Sequence, residues 1–123
     1  MIVAGIGFNS SATPKSLAAA LDAAMQAAGV AQLDALASAP TKTAAQVLID
    51  FAKARALPLM SVQVAGMETP SQSPRVAAQF GAGSLAEAAA LAGAGPHARL
   101  LTCRTKSPCG RATAALAQSK DTP

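Results

Sequence analysis

Ile2-Val3-Ala4-Gly5-Ile6-Gly7, the polar turn Asn9-Ser10-Ser11, and Thr13-Pro14 together decide how this chain folds. The apolar run is short and ends in glycines, which reads as a strand. Thr13 stands directly before Pro14, an N-cap residue followed by a proline suited to the first helical position. Leu17, Leu21, Met25 and Ala28 then recur every three or four residues, making one buried helix face. Gly29 is placed to end that helix in a left-handed turn.

The same alternation continues downstream. Leu33 to Ser38 carries a weak strand signal. A helix is expected from about Thr43 to Arg55, with Val47, Leu48 and Phe51 inward and Lys42, Asp50 and Lys53 outward. Leu59 to Val64 alternates as a strand does. Residues 66–75 hold two prolines, two serines and a glycine and read as a loop; Val76 to Phe80 has room for one helical turn. Ser84-Leu85-Ala86-Glu87 has the form of a capping box, opening a helix to about Ala92. Arg99 to Cys103 is a strand and Lys106 to Gly110 a turn. Arg111 to Gln118 is ambiguous. Four of its eight residues are alanine, which favours helix; its place after a strand and a turn favours a closing hairpin strand. Strands alternating with helices predict a single three-layer α/β/α domain over residues 1–118. Its mainly parallel or mixed sheet has about five strands, helices cover both faces, and one antiparallel strand is added at the end. Residues 119–123 read as a frayed tail.

Composition narrows the function classes. The 123 residues fit one domain, and 51% apolar with 13% charged residues is not a disordered composition. Alanine dominates, and Phe8, Phe51 and Phe80 are the only aromatics. No uninterrupted apolar run reaches the roughly 18 residues of a membrane span, and the first residues lack the features of a signal peptide, so a cytoplasmic protein without membrane partners is expected. Cys103 and Cys109 match neither a CxxC redox pair nor a zinc-knuckle spacing and read as free thiols. His97 is the lone histidine, so no metal site is expected. The net charge of +4 suits an anionic partner. The absence of a basic run, Tyr or Trp argues against nucleic acid.

Three places could hold an anion. The first is the end of the opening strand, with Gly7, Asn9, Ser10 and Ser11, where backbone amides can approach a ligand; an ordinary strand-to-helix turn fits the same residues. The second is Gly83-Ser84 at the start of the capped helix, where a plain N-cap is the simpler account. The third is the basic stretch Arg104 to Arg111, in which Arg104, Lys106 and Arg111 could clamp carboxylates, or lie in a solvated loop. The 66–75 loop, with Arg75, reads as a surface loop that could also close as a lid. No Ser/His/Asp set emerges from spacing; Glu68, Glu87 and His97 are the conceivable bases.

Taken together, several stretches resemble one family, the CobE / CbiG C-terminal domain. They are Ile2 to Gly7 with the Thr13–Gly29 helix, Ala56-Leu57-Pro58-Leu59-Met60, Ser73-Pro74-Arg75-Val76, Gly81 to Ala90, Lys106, and Thr113-Ala114-Ala115-Leu116-Ala117. Phe8 departs from the family, where a cysteine or another small residue is expected. The resemblance implies a role in cobalamin (vitamin B12) biosynthesis. Full-length CbiG-type proteins open the δ-lactone of a cobalt-precorrin and release acetaldehyde, and this chain resembles only their C-terminal part, as stand-alone CobE does. Precorrins bear many acetate and propionate groups, so the resemblance and the basic charge agree on a tetrapyrrole intermediate as ligand, with Phe8, Met60 and Met67 as apolar contacts and no cofactor of its own. A lactone hydrolase of the same pathway, and a partner module docking on other cobalamin-pathway enzymes, are the competing readings.

Overall fold

The computed structural model describes residues 1–65, 69, 84–95 and 97–119. Among the described residues nine elements follow in chain order: β1 Ile2–Phe8, α1 Pro14–Ala28, β2 Ala35–Ser38, α2 Pro40–Thr43, α3 Gln46–Ala54, β3 Leu59–Ser61, α4 Leu85–Ala94, β4 Arg99–Lys106 and β5 Ala112–Gln118. The five strands form one sheet in the order β3-β2-β1-β5-β4. Strands β1, β2 and β3 run parallel, whereas β5 is antiparallel to both β1 and β4. The carboxyl ends of β1, β2, β3 and β4 therefore share one edge, and the β4–β5 turn lies on that edge as well.

The opening unit forms as its residues dictate. Thr13 Oγ1 accepts the Ser16 N–H at 3.2 Å, and Ser16 Oγ accepts the Thr13 N–H at 3.3 Å, closing a capping box. Gly29 ends α1 at φ 69°, a conformation that glycine adopts without a Cβ penalty. The helix expected from Thr43 to Arg55 is two. Pro40 starts a single turn, α2, and the extended backbone of Ala45 (ψ 131°) separates it from α3.

Leu17, Ala20, Leu21 and Ala24 of α1, with Leu48, Phe51 and Ala52 of α3, pack on Ala4, Ile6, Leu36, Ala114 and Leu116. On the other face, Leu85, Ala88 and Ala89 of α4 pack on Val3, Ala35, Ala37 and Ala117. The domain is thus a three-layer α/β/α arrangement around a mixed sheet. Small side chains on that second face draw α4 against the sheet. A Cβ on Gly5 would run into the Ala86 carbonyl oxygen and lie 2.5 Å from the Ala90 nitrogen, so Gly5 is required by helix-on-sheet contact.

The ambiguous alanine-rich segment is strand β5. It does not close the sheet at an edge. It lies inside, between β1 and β4, and pairs with β1 through the whole run from Ile2↔Gln118 to Phe8↔Ala112. Strand β4 is longer than expected and includes Lys106. Ser119, expected in the frayed tail, is buried and its N–H bonds Met1 O at 2.9 Å; residues 120–123 lie outside the described residues.

Candidate ligand-binding site

The edge that carries the strand carboxyl ends also carries the start of both main helices. Gly7, buried in β1, lies beneath the first turn of α4: a Cβ there would sit 3.8 Å from the Ala86 nitrogen and 2.7 Å from Thr113 Oγ1. Beyond β1, the Asn9–Ser11 turn bonds internally. Asn9 Oδ1 accepts the Ser11 N–H at 2.9 Å, and Asn9 O accepts the Ala12 N–H at 3.1 Å. Asn9 N–H donates to Arg111 O at 3.0 Å, tying the turn to the β4–β5 hairpin. With these amides engaged, the turn offers a ligand its exposed Ser10 and Ser11 hydroxyls rather than a nest of N–H groups.

Lys106 and Gly7 both pair with Thr113, from opposite sides of β5. Two ladder spacings put the Lys106 backbone about 10 Å from Gly7. Arg104 sits at an irregularity of β4, between the register shifts at Thr102 and Thr105. Its peptide N–H donates to Glu87 Oε2 at 2.7 Å. Glu87 is fully buried on the first turn of α4. Only the serine half of the expected capping box forms, with Ser84 Oγ accepting the Glu87 N–H at 3.3 Å; the carboxylate is drawn to β4. Ser84 is likewise buried, as a cap. Gly83, Glu68, Met67 and Arg75 lie outside the described residues, as do most of the 66–75 loop and the Val76–Phe80 turn. His97 stands on the opposite edge, in the connection between α4 and β4, with φ 63°.

Reading the sequence missed Lys42. Helical periodicity over 43–55 placed it outward, but it belongs to the separate turn α2. Its ammonium donates to Phe8 O at 2.7 Å and lies 4.9 Å from the centre of the Phe8 ring. Phe8, the departure from the family pattern, thus forms an apolar floor beneath a cation at the end of β1.

The reading also missed a cleft. The cap residue Thr13 and Lys15, Ser16 and Ala19 of α1 face Pro108, Cys109 and Arg111 of the hairpin across about 290 Å³. Ser16 and Cys109 are 93 positions apart, so no local motif announces the cleft. Cys109 is exposed, and its thiol is lowered from 9.0 to about 7. The causes are hydrogen bonds from the Ser107 hydroxyl, then the Ser16 hydroxyl, then the Arg111 N–H, with a smaller contribution from the Arg111 charge.

Five of the ten Lys and Arg residues, Lys15, Lys42, Arg104, Lys106 and Arg111, therefore sit on segments that meet at one edge. Among the described residues, the acid at this edge is the buried Glu87. Asp22 pairs with Arg55, Asp50 with Gln46, and Asp34 accepts from Ile2 N–H at the far edge. Lys15 even occupies the first turn of α1, where the helix dipole disfavours a cation and no acid balances it. The arrangement defines a small α/β domain with a cationic rim suited to carboxylate-bearing ligands.

A family model described as the C-terminus of cobalamin synthesis protein G matches residues 2–117, so the chain belongs to the CbiG C-terminal family of cobalamin synthesis proteins. Among solved structures, CobE, a protein from the cobalamin (vitamin B12) biosynthetic pathway, superposes with a TM-score of 0.83 at 30% identity, over 95% of this chain and 89% of that one. The cobalamin biosynthesis protein chiG from Agrobacterium tumefaciens str. C58 superposes with a TM-score of 0.74 at 36% identity, over 98% of this chain and all (100%) of that one. A comparison with curated protein sequences finds no match. No helix among the described residues is long and apolar enough to cross a membrane.

Proposed function

We propose that this domain binds a carboxylated tetrapyrrole intermediate of corrin-ring synthesis at the rim formed by the ends of β1 and β4, the Asn9–Ser11 turn and the β4–β5 hairpin. The observation that carries the reading is the meeting of Lys42, Arg104, Lys106 and Arg111, from three separate segments, at an edge whose one described acid is buried. A macrocycle ringed with acetate and propionate groups is complementary to that edge, because each ion pair or charge-assisted hydrogen bond fixes one substituent. Exposed pairs of this kind are individually worth only about 0–1 kcal/mol, so affinity requires several at once. The partly buried Phe8 ring adds apolar surface at this edge, whereas Met60 packs on the opposite face of the sheet beside Gly93, near the last turn of α4, and takes no part in the rim. In this reading Ser10, Ser11, Arg104 and Lys106 contact the ligand. Gly7 and Ser84 contribute by shaping the edge, since both are buried.

Of the conceivable bases, Glu87 is buried against β4 and His97 lies on the far edge. Binding or transfer of an intermediate therefore fits the described residues better than hydrolysis.

An absorbance titration with hydrogenobyrinic acid tests the proposal. The expected result is a saturable spectral shift, weakened severalfold by Arg104→Ala or Lys106→Ala and weakened further by salt. An unchanged spectrum at high protein concentration would overturn it.

A further inference from the structure

The cleft between α1 and the hairpin differs from the rim in scale and in chemistry. Its volume of about 290 Å³ lies at the bottom of the roughly 300–1,000 Å³ range of small-molecule sites, too small for a macrocycle. It combines a sulfur nucleophile, Cys109, with two cations, Lys15 and Arg111, that come from different elements.

Two buried hydroxyls flank the sulfur. Ser107 Oγ accepts from Ala112 N–H at 3.2 Å and stands 3.3 Å from Cys109 Sγ. Ser16 Oγ accepts from Thr13 N–H at 3.3 Å and stands 3.4 Å from Cys109 Sγ and 3.1 Å from Thr13 Oγ1. Hydroxyls within hydrogen-bond reach of the sulfur, beside the Arg111 cation, favour the thiolate over the thiol.

We propose that this cleft is a thiol-modification site that takes a small anionic disulfide, with Lys15 and Arg111 attracting its carboxylates and Cys109 exchanging with it. The Cys109 thiolate attacks one sulfur of the incoming disulfide. The old S–S bond breaks, and its electron pair leaves on the other half as a thiolate. Cys109 is thereby oxidised to a mixed disulfide and the departing half is reduced. No further oxidant is required.

The size of the effect follows from two opposed factors. At pH 7 a thiol titrating near 7 is about half thiolate, against about one per cent for a thiol at 9.0, a fiftyfold advantage. The lower basicity of the sulfur returns most of a factor of ten, leaving about sixfold. Attraction by two cations then favours an anionic disulfide over a cationic one by about tenfold at low salt, and salt removes that preference.

The test uses Cys103→Ser protein, which keeps Cys109, and Cys109→Ser protein, which keeps Cys103. Each is reacted at pH 7 with three probes: dithiobis(nitrobenzoate), which is dianionic; hydroxyethyl disulfide, which is neutral; and cystamine, which is cationic. Cys109 is expected to react with the dianionic probe at least tenfold faster than Cys103. Lys15→Gln and Arg111→Gln should slow that reaction severalfold while changing the neutral rate less than twofold. Incubation of the unsubstituted protein with glutathione disulfide should place the adduct on the peptide that contains Cys109. Equal rates at the two cysteines, or rates at Cys109 that ignore probe charge, would overturn the proposal. Arg111 belongs to both the cleft and the rim, so Cys109→Ser is the variant that separates them: that protein should still bind the corrinoid.

Discussion

The Glu87 carboxylate, on the first turn of α4, holds the Arg104 peptide N–H of strand β4 at 2.7 Å. This bond joins the helix start to the irregular segment of the outer strand, fixing where Arg104 and Lys106 stand. A fully buried carboxylate that accepts a strand N–H is costly to remove, because the donor loses its acceptor and the helix start loses its tie to β4.

Glu87→Ala should therefore lower stability by about 3 kcal/mol, combining the lost acceptor of the partly buried Arg104 N–H with a new cavity at a fully buried position. Glu87→Gln keeps the volume and an accepting oxygen and should lose less than half as much. Urea unfolding of both variants checks the order.

Gly5 and Gly29 should respond differently to alanine. Gly5→Ala drives a Cβ into the backbone of α4 and should cost about 3 kcal/mol or more. Gly29→Ala meets open space and pays only for its left-handed backbone, about 1 kcal/mol. Thermal unfolding of the pair separates the two mechanisms.

Alkylation of Cys109 should follow thiolate content, rising with pH to a midpoint of about 7. The donating hydroxyls lower that midpoint, so Ser107→Ala and Ser16→Ala should each raise it toward 9.0, Ser107→Ala by more. Iodoacetamide rates on Cys103→Ser protein between about pH 5.5 and about pH 10 read it directly.

Lys42→Gln should weaken corrinoid binding more than removal of an ordinary surface lysine, because its ammonium is held in place by Phe8 O and the Phe8 ring. A severalfold rise in dissociation constant at low salt, shrinking at high salt, is expected from the same absorbance titration.

How much of this was legible in the sequence depended on the range of the interaction. The opening strand, the Thr13 cap and the Gly29 stop are local signals, and all three hold. Arg111 to Gln118 could not be decided locally: its alanines favour helix, and pairing with β1, more than one hundred positions earlier in register at Gly7↔Thr113, makes it a strand. Lys42 was misjudged because helical periodicity was carried through the break at Ala45. Gly7 was read as part of a turn whose amides are open to a ligand, whereas it is buried in β1 beneath the first turn of α4. The Cys109 cleft needs two distant segments and has no signature of its own.

The most direct measurement is amide chemical-shift mapping of the protein titrated with hydrogenobyrinic acid. Shifts confined to Phe8–Ser11, Lys42, Arg104–Lys106 and Arg111 are predicted, with Asp34 and His97 on the far edge undisturbed. Shifts centred on that far edge, or none at saturating ligand, would contradict the account.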